Sequence, residues 1–393
     1  MILGVTLVPL TPDARRASVL CLLCRDGALA DGVLNAALFL PLGAALSHAG
    51  WRSLRALLTG AGLSLGVEAL QLVIPGRDPS LADVVFNSLG AALGIAVARS
   101  ASVWWRPGPR TADRLVIAGT LAAMTVLALT GVLFGPSFPE ETYYGGWTPR
   151  VDHLHRYGGR VLEASLGEVE IPPGVIGRSL EVHQRLLSDP TLRVRAEAGP
   201  RPAGLAPLLT INDAHRREIL FLGVDGDDLV YRYRTRAMDW GLIGPDIRAV
   251  GLLRGIVSRD PMSLVVRRTD AEWCIRLNTI ERCGHGHTIG TGWTLLLGRQ
   301  PVARWLQPTL KVAWLAALFF PIGLWARFSP GSLAAAALSL TGLLILPASV
   351  SLLRTPGVEL WGALAGLFTG WIVSRSQRTK QNRRQRVSGL APR

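Results

Sequence analysis

Between positions 115 and 134 the chain runs without a single charged side chain, and a stretch of about twenty apolar residues is long enough to cross a bilayer core of about 30 Å as a helix. Six more apolar runs follow the same pattern, at 32–47, 54–74, 81–98, 310–326, 332–353 and 358–373. Hydrocarbon offers the backbone no hydrogen-bond partner, so segments of this kind must satisfy their N–H and C=O groups internally as helices. A composition of 49% hydrophobic and 18% charged residues, with mean hydropathy +0.30, agrees with an α-helical polytopic membrane protein. The net charge of +14 would suit nucleic acid, but its distribution suits topology better. Arg99, Arg106, Arg110 and Arg114 flank Trp104 and Trp105. The segment 374–393 carries Arg375, Arg378, Lys380, Arg383, Arg384, Arg386 and Arg393 and no acid. Both have the character of cytoplasmic membrane borders, so the charge calls for no nucleic-acid partner. Membrane lipids are the expected partners, and the tail is a solvated topogenic segment that also meets anionic lipid.

Within the first three runs a small set of polar residues stands out, because a charge at mid-membrane costs about 2.5 kcal/mol or more unless it is paired. Ser64, Glu68 and Gln71 fall at i, i+4 and i+7 and share one helix face. Asp83, Asn87, Gly90 and Gly94 make a stripe on the next helix. Between them, Pro75, Gly76 and Pro79 make a tight turn that places Arg77 and Asp78 at the level of Glu68, Gln71 and Asp83. Asn35 lies in the first run. The candidate ligand-binding set is therefore Asn35, Glu68, Gln71, Arg77, Asp78, Asp83 and Asn87. Ser64 is expected to pack between helices and Ser80 to cap the helix that starts near Leu81. Glu68 near Asp83 would allow the two carboxyls to share a proton.

The blocks N-x-x-L-F-x-P-L-G (Asn35, Leu38 to Gly43), S-x-x-x-E-x-x-Q (Ser64, Glu68, Gln71) and G-R-x-P-S-x-x-D-x-x-x-N-x-x-G-A (Gly76 to Ala91), in that order, resemble the VanZ-like membrane proteins. The resemblance covers about a quarter of the chain. It implies a membrane domain and a relation to glycopeptide resistance, and it names no reaction.

From 140 to 307 the composition changes to short alternating runs at 192–196, 218–223, 228–234, 262–268 and 273–277 separated by Gly, Asp, Asn and Pro. This is the pattern of an antiparallel β-sandwich, with no helix expected in it. The phrase DGDDLVYRYRT, the WCIRLN hairpin and GTGWTLLLG resemble a concanavalin A-like or laminin-G-like jelly roll, which implies binding of a glycan, peptide or cell-surface polymer. Cys274 and Cys283 flank the hairpin and are expected to form a disulfide, which requires an oxidising compartment. Cys21 and Cys24 are expected to pack in apolar surroundings. Asp225, Asp227 and Asp228 belong to a turn rather than a calcium site, and Cys283, His285 and His287 lack a fourth ligand, so no metal or other cofactor is expected. The carboxylate spacing of glycosidases is missing from the sandwich.

AALFLPLG at 36–43 recurs as AALFFPIG at 316–323, and GAALG at 90–94 is echoed by GLFTG at 366–370. TLVPLTP near the start has a weaker counterpart at 132–139. The opening MILGVTLVPLTP is only half the length that crosses a bilayer, without the marks of a cleavable signal, and 13–31 is expected to form a short surface helix. The domains are then 1–100, VanZ-like; 101–139, cytoplasmic linker and a transmembrane helix; 140–307, extracytoplasmic sandwich; 308–374, a degenerate second VanZ-like unit; and 375–393, a basic cytoplasmic tail. An even number of spans per unit makes the copies parallel. With the tail inside, the sandwich and the 74–80 turn lie outside. Leu315 replaces Asn35, and only Arg354 and Glu359 remain near the second turn, so the polar set of the first unit is not a general packing requirement. These observations point to a multi-pass envelope protein that binds a cell-wall, glycan or lipid-linked ligand, and they favour binding over catalysis without settling between them. The alternative is an intramembrane enzyme or small-solute transporter using Glu68, Arg77 and Asp83.

Overall fold

A computed structural model describes residues 27–74, 79–151, 154–298, 304–327 and 329–387. The opening apolar piece, the Cys21 and Cys24 pair, and Arg77 and Asp78 lie outside these residues. The first helices are α1 (Ala28–His48), α2 (Ser53–Gln71), α3 (Leu81–Arg99), the single turn α4 (Ala101–Trp104) and α5 (Pro109–Phe134). After the β module come α9 (Gln307–Trp325), α10 (Pro330–Ser349) and α11 (Gly357–Val387). All the long ones except α2 are long and apolar enough to cross a membrane. The Arg55, Glu68 and Gln71 side chains lower the hydropathy of α2, which nonetheless runs between the same two ends as its neighbours. The chain is a polytopic helical membrane protein with an inserted β-sandwich. Two expectations need correcting. Residues 28–31 begin α1 rather than closing a separate surface helix. The basic tail continues α11 as helix to Val387 instead of leaving it near 375.

Small residues set how closely the helices pack. A Cβ on Gly90 would sit 2.1 Å from the carbonyl oxygen of Ala36, one on Gly94 2.0 Å from that of Leu40, and one on Gly43 2.0 Å from that of Ala91. The α1 and α3 backbones therefore touch directly, the small-residue mode by which helices associate where lipid removes the hydrophobic drive. The later pair repeats these contacts. Gly366 meets the Ala316 carbonyl oxygen, Gly370 that of Phe320, and Gly323 that of Leu367. The internal repeat is thus a repeat of helix contacts, and α1 and α9 run in the same direction. The third helices differ. α2 packs on α3, whereas α10 packs on α5.

The β module has two six-stranded antiparallel sheets, β4-β1-β6-β7-β8-β9 and β12-β11-β10-β5-β2-β3. Their members are β1 (Tyr143–Trp147), β2 (Arg160–Leu166), β3 (Val169–Glu170), β4 (Gly174–Val175), β5 (Leu192–Glu197), β6 (Ala206–Asp213), β7 (Glu218–Asp225), β8 (Asp228–Tyr233), β9 (Ile247–Ala249), β10 (Pro261–Thr269), β11 (Glu272–Leu277) and β12 (Ile280–His285). Strict alternation in β5 turns Leu192, Val194 and Ala196 inward, where they join Leu264 and Val266 of β10 and Leu220 and Leu222 of β7 in one core. On the outer face of β7, Phe221 lies under the Arg232 guanidinium at 5.2 Å, itself clamped by Glu218 and Asp246 at 3.1 and 2.6 Å. The hairpin β11–β12 turns at Asn278, whose φ of 52° suits a small polar residue, and is closed by the Cys274–Cys283 disulfide. The module also contains α6 (Ser179–Ser188), which lays Val182 and Leu186 on the core and corrects the expectation of no helix, together with the short α7 (Arg236–Asp239) and α8 (Thr294–Leu297).

The sandwich is fastened to the bundle at one end. The N–H groups of Leu29 and Ala30 donate to the carbonyl of Gly241, the Tyr233 hydroxyl to that of Phe134, and Leu353 N–H to that of His287. At the other end Trp325 Nε1 donates to the Trp104 carbonyl at 2.7 Å and Arg327 Nη2 to that of Pro107 at 2.6 Å. The Ser329 hydroxyl reaches Asp113, and Arg378 reaches the Ala326 carbonyl. The sandwich, the end of α2 and the start of α3 thus lie at one end of the helices, and the Arg/Trp linker and the start of the basic tail at the other.

Candidate functional site

The polar stripes on α2 and α3 face each other. Ser64, Glu68 and Gln71 are buried, at 0, 7 and 5% exposure, because the i, i+4, i+7 spacing keeps them on the face that α2 turns to α3. The Asn87 amide, 4% exposed, donates through Nδ2 to Ser64 Oγ at 2.8 Å. From α1, Asn35 Nδ2 donates to Asp83 Oδ1 at 2.9 Å. Glu68 Oε2 accepts the Ser80 N–H at 2.7 Å. Three helices therefore bring Asn35, Ser64, Glu68, Asp83 and Asn87 together, with Ser64, Glu68 and Asn87 buried and Asn35 and Asp83 half-buried. Gln71 lies on the same face of α2.

One local expectation changes. Ser80 does occupy the position before α3, but its side chain makes no capping bond. Its backbone N–H is held by Glu68 instead, so the carboxylate of α2 takes over part of the capping.

One polar atom of the site is left over. Asn87 Oδ1 is buried and, among the described residues, accepts no hydrogen bond. An amide oxygen stranded in an apolar interior costs about 1–3 kcal/mol, so such an atom calls for a reason.

In the second unit, glycine contacts fix the correspondence: Leu315 stands where Asn35 does, Ala363 where Asn87 does, and Glu359 where Asp83 does, seven residues before the paired glycine in each case. Glu359 is fully buried and accepts from the Thr288 hydroxyl and, at 3.0 Å, from the Gly290 N–H, with Lys311 Nζ 3.8 Å away. It ties the bundle to the short helical segment 289–297 that closes the sandwich. The acid position is therefore kept in both units and the amides only in the first. A lone acid in an apolar helix at the register of Asp83 was the available sequence signal. Its partners, some seventy residues upstream, gave none.

In the sandwich, Asp225 and Asp228 both hold Arg248, at 2.5 and 3.1 Å, and Asp227 meets Arg201 at 3.0 Å. These carboxylates already serve guanidinium groups. Cys283 is bonded to Cys274, which removes its thiolate from the Cys283, His285 and His287 triplet.

Residues 5–104 match the family model described as VanZ/LLP1. No curated protein and no solved structure matches the chain. The matched stretch includes all of α1, α2 and α3 with their facing amides and carboxylates, about a quarter of a chain that is, as a whole, a multi-pass helical membrane protein carrying a β-sandwich.

Proposed function

We propose that the polar face shared by α1, α2 and α3 binds the head of an amphipathic envelope ligand, a lipid-linked or cell-wall glycan, on the extracytoplasmic side beside the sandwich. The supporting observation is the unpaired oxygen of Asn87 together with the comparison of the two helix pairs. Both pairs pack through the same glycine contacts, yet only the first carries Asn35 and Asn87, where the second has Leu315 and Ala363. Packing does not require the amides, so ligand recognition is the economical account of a buried acceptor without a donor. The disulfide of β11–β12 and the cation-rich opposite end favour the extracytoplasmic placement. A lectin-like role for the sandwich rests on the jelly-roll resemblance. The transporter or enzyme reading needs Glu68 free to exchange protons, and its bond to the Ser80 N–H argues for a positioning role.

The test uses the full chain in nanodiscs, titrated with vesicles bearing a polyprenyl-linked glycan against plain phosphatidylcholine vesicles. Asn87→Leu and Asp83→Asn should each weaken selective binding about tenfold, the loss of about 1.4 kcal/mol expected for a single buried hydrogen bond. Binding unchanged in both variants would remove the proposal. Ion-dependent flux abolished by Glu68→Gln would favour the transporter.

A further inference from the structure

A second cavity, distinct from the amide cluster, lies where the sandwich meets the bundle. It has a volume of about 340 Å³ and is enclosed by the ends of α5 and α10, strands β8 and β10–β11, and the segment around His287. This lies within the range of about 300–1,000 Å³ typical of small-molecule sites. Its membrane-side wall is tight: a Cβ on Gly131 would lie 2.2 Å from a Val350 methyl, and Val132 and Leu352 add apolar surface beside Ser349 and Ser351. Its sandwich-side wall is aromatic. Trp273 lies 5.2 Å from Tyr233, and the His287 ring 4.8 Å from Phe134.

The polar groups lining it are unevenly matched. Arg236 and Arg268 both face the cavity, and among the described residues neither forms an ion pair with a carboxylate. No Asp or Glu lines the cavity. The negative helix ends nearby answer only part of this charge. The C-termini of α5 and α10 amount to about half a charge each, and the last carbonyls of α5 are already taken, Phe134 by the Tyr233 hydroxyl and Gly135 by the Arg236 N–H. Arg236 is exposed and Arg268 is half-buried with its Nε donating to the Asp270 carbonyl at 3.0 Å, so each keeps N–H groups free to meet an anion entering the cavity. His287 adds a second, independent sign. Its side chain is 6% exposed, it lines the cavity, and its Nε2 has no hydrogen-bond partner among the described residues. Burial holds its pKa down at about 4, so at neutral pH it is an uncharged imidazole that lacks a partner.

Two arginines lining one cavity, an orphan ring nitrogen and apolar groups on the lipid side match one class of chemistry. We propose that this cavity binds a phosphate group, with Arg236 and Arg268 bridging its oxygens and His287 Nε2 completing the set. Arginine forks suit phosphate because two N–H groups meet two oxygens at once. The source that best fits these apolar groups is the headgroup of an anionic phospholipid whose chains lie along Val132 and Val350 in the bilayer. The site is separate from the amide cluster and shares no residue with it, so the failure of either proposal leaves the other intact.

The experiment measures binding of the full chain in nanodiscs of phosphatidylcholine to added phosphatidylglycerol, and separately to inorganic phosphate. Arg236→Gln with Arg268→Gln should weaken phosphatidylglycerol binding at least tenfold. Ala271→Trp, which fills the cavity and keeps both arginines, should do the same and carries the test if the double variant misfolds. Selective phosphatidylglycerol binding with no effect of inorganic phosphate assigns the site to a lipid headgroup. Binding of inorganic phosphate alone, lost in the same variants, assigns it to the free anion. Equal binding by the wild-type chain and Ala271→Trp would overturn the proposal.

Discussion

Glu359 shows how much a single side chain can carry in this fold. It is a fully buried carboxylate that meets a hydroxyl, a backbone N–H and an ammonium, on residues from two different parts of the chain. Removing one member of such a set leaves the others unpaired, which typically costs about 3–5 kcal/mol. Glu359→Ala should therefore lower the melting temperature of the detergent-purified protein and raise hydrogen exchange across 288–297, while Glu359→Gln, which keeps the acceptor oxygen, should lose less. Equal exchange in all three proteins would show that the carboxylate is not a fastener. The same residue marks a limit of sequence reading. Its depth in an apolar helix was visible, but Thr288 and Gly290 are brought to it only by the path of the chain through the sandwich. The Cys274–Cys283 bond was legible because both ends sit on one short hairpin. Ser80 misled because its sequence position fits a cap, while the competing acceptor, Glu68, comes from the preceding helix.

At the level of elements, the helix pairs α1–α3 and α9–α11 are held by glycines against carbonyl oxygens. Adding side chains there must push the backbones apart, and overpacking costs about 1–3 kcal/mol even for small additions. Gly90→Leu should destabilise strongly and weaken selective binding at the amide face, because Asn35 and Asp83 sit on the two helices that would separate. On α2, a Cβ added to Gly62 would meet nothing within 4 Å, and Gly62→Ala should be neutral or slightly stabilising, since alanine is the better helix former by about 1 kcal/mol. Thermal unfolding in detergent compares the two; a harmless Gly90→Leu would mean that the close approach is dispensable. The repeat was legible because AALFLPLG and AALFFPIG keep the residues that make these contacts. Strands with alternating burial, such as β5, were also legible. β6 is buried on both faces and was not read as a strand, whereas β7, buried in the same way, was read from its run at 218–223, and α6 was missed because only Val182 and Leu186 mark its inward face.

For the whole molecule, the two ends of the bundle differ in kind. One carries the sandwich, the end of α2 and the start of α3, and the other carries tryptophans, arginines and the tail. Placing the first end outside the cell is testable. In a chain with Cys21→Ser and Cys24→Ser, a cysteine replacing exposed Ser188 should react with a membrane-impermeant maleimide in intact cells, and one replacing exposed Arg106 should react only after the cells are opened. The reverse pattern would turn the molecule over and take the amide face to the cytosol with it. The general plan, spans and a β insertion, could be read from hydropathy and alternation. How the two parts meet could not, because every bond between them joins residues far apart in the chain. Those bonds have a mechanical consequence. The sandwich is moored to α1 through Gly241, to α5 through Phe134 and Gly135, and to α11 through Glu359, and a body roped to three separate posts has little freedom to swivel on any of them. A tug on the sandwich would therefore be felt as strain among the posts themselves.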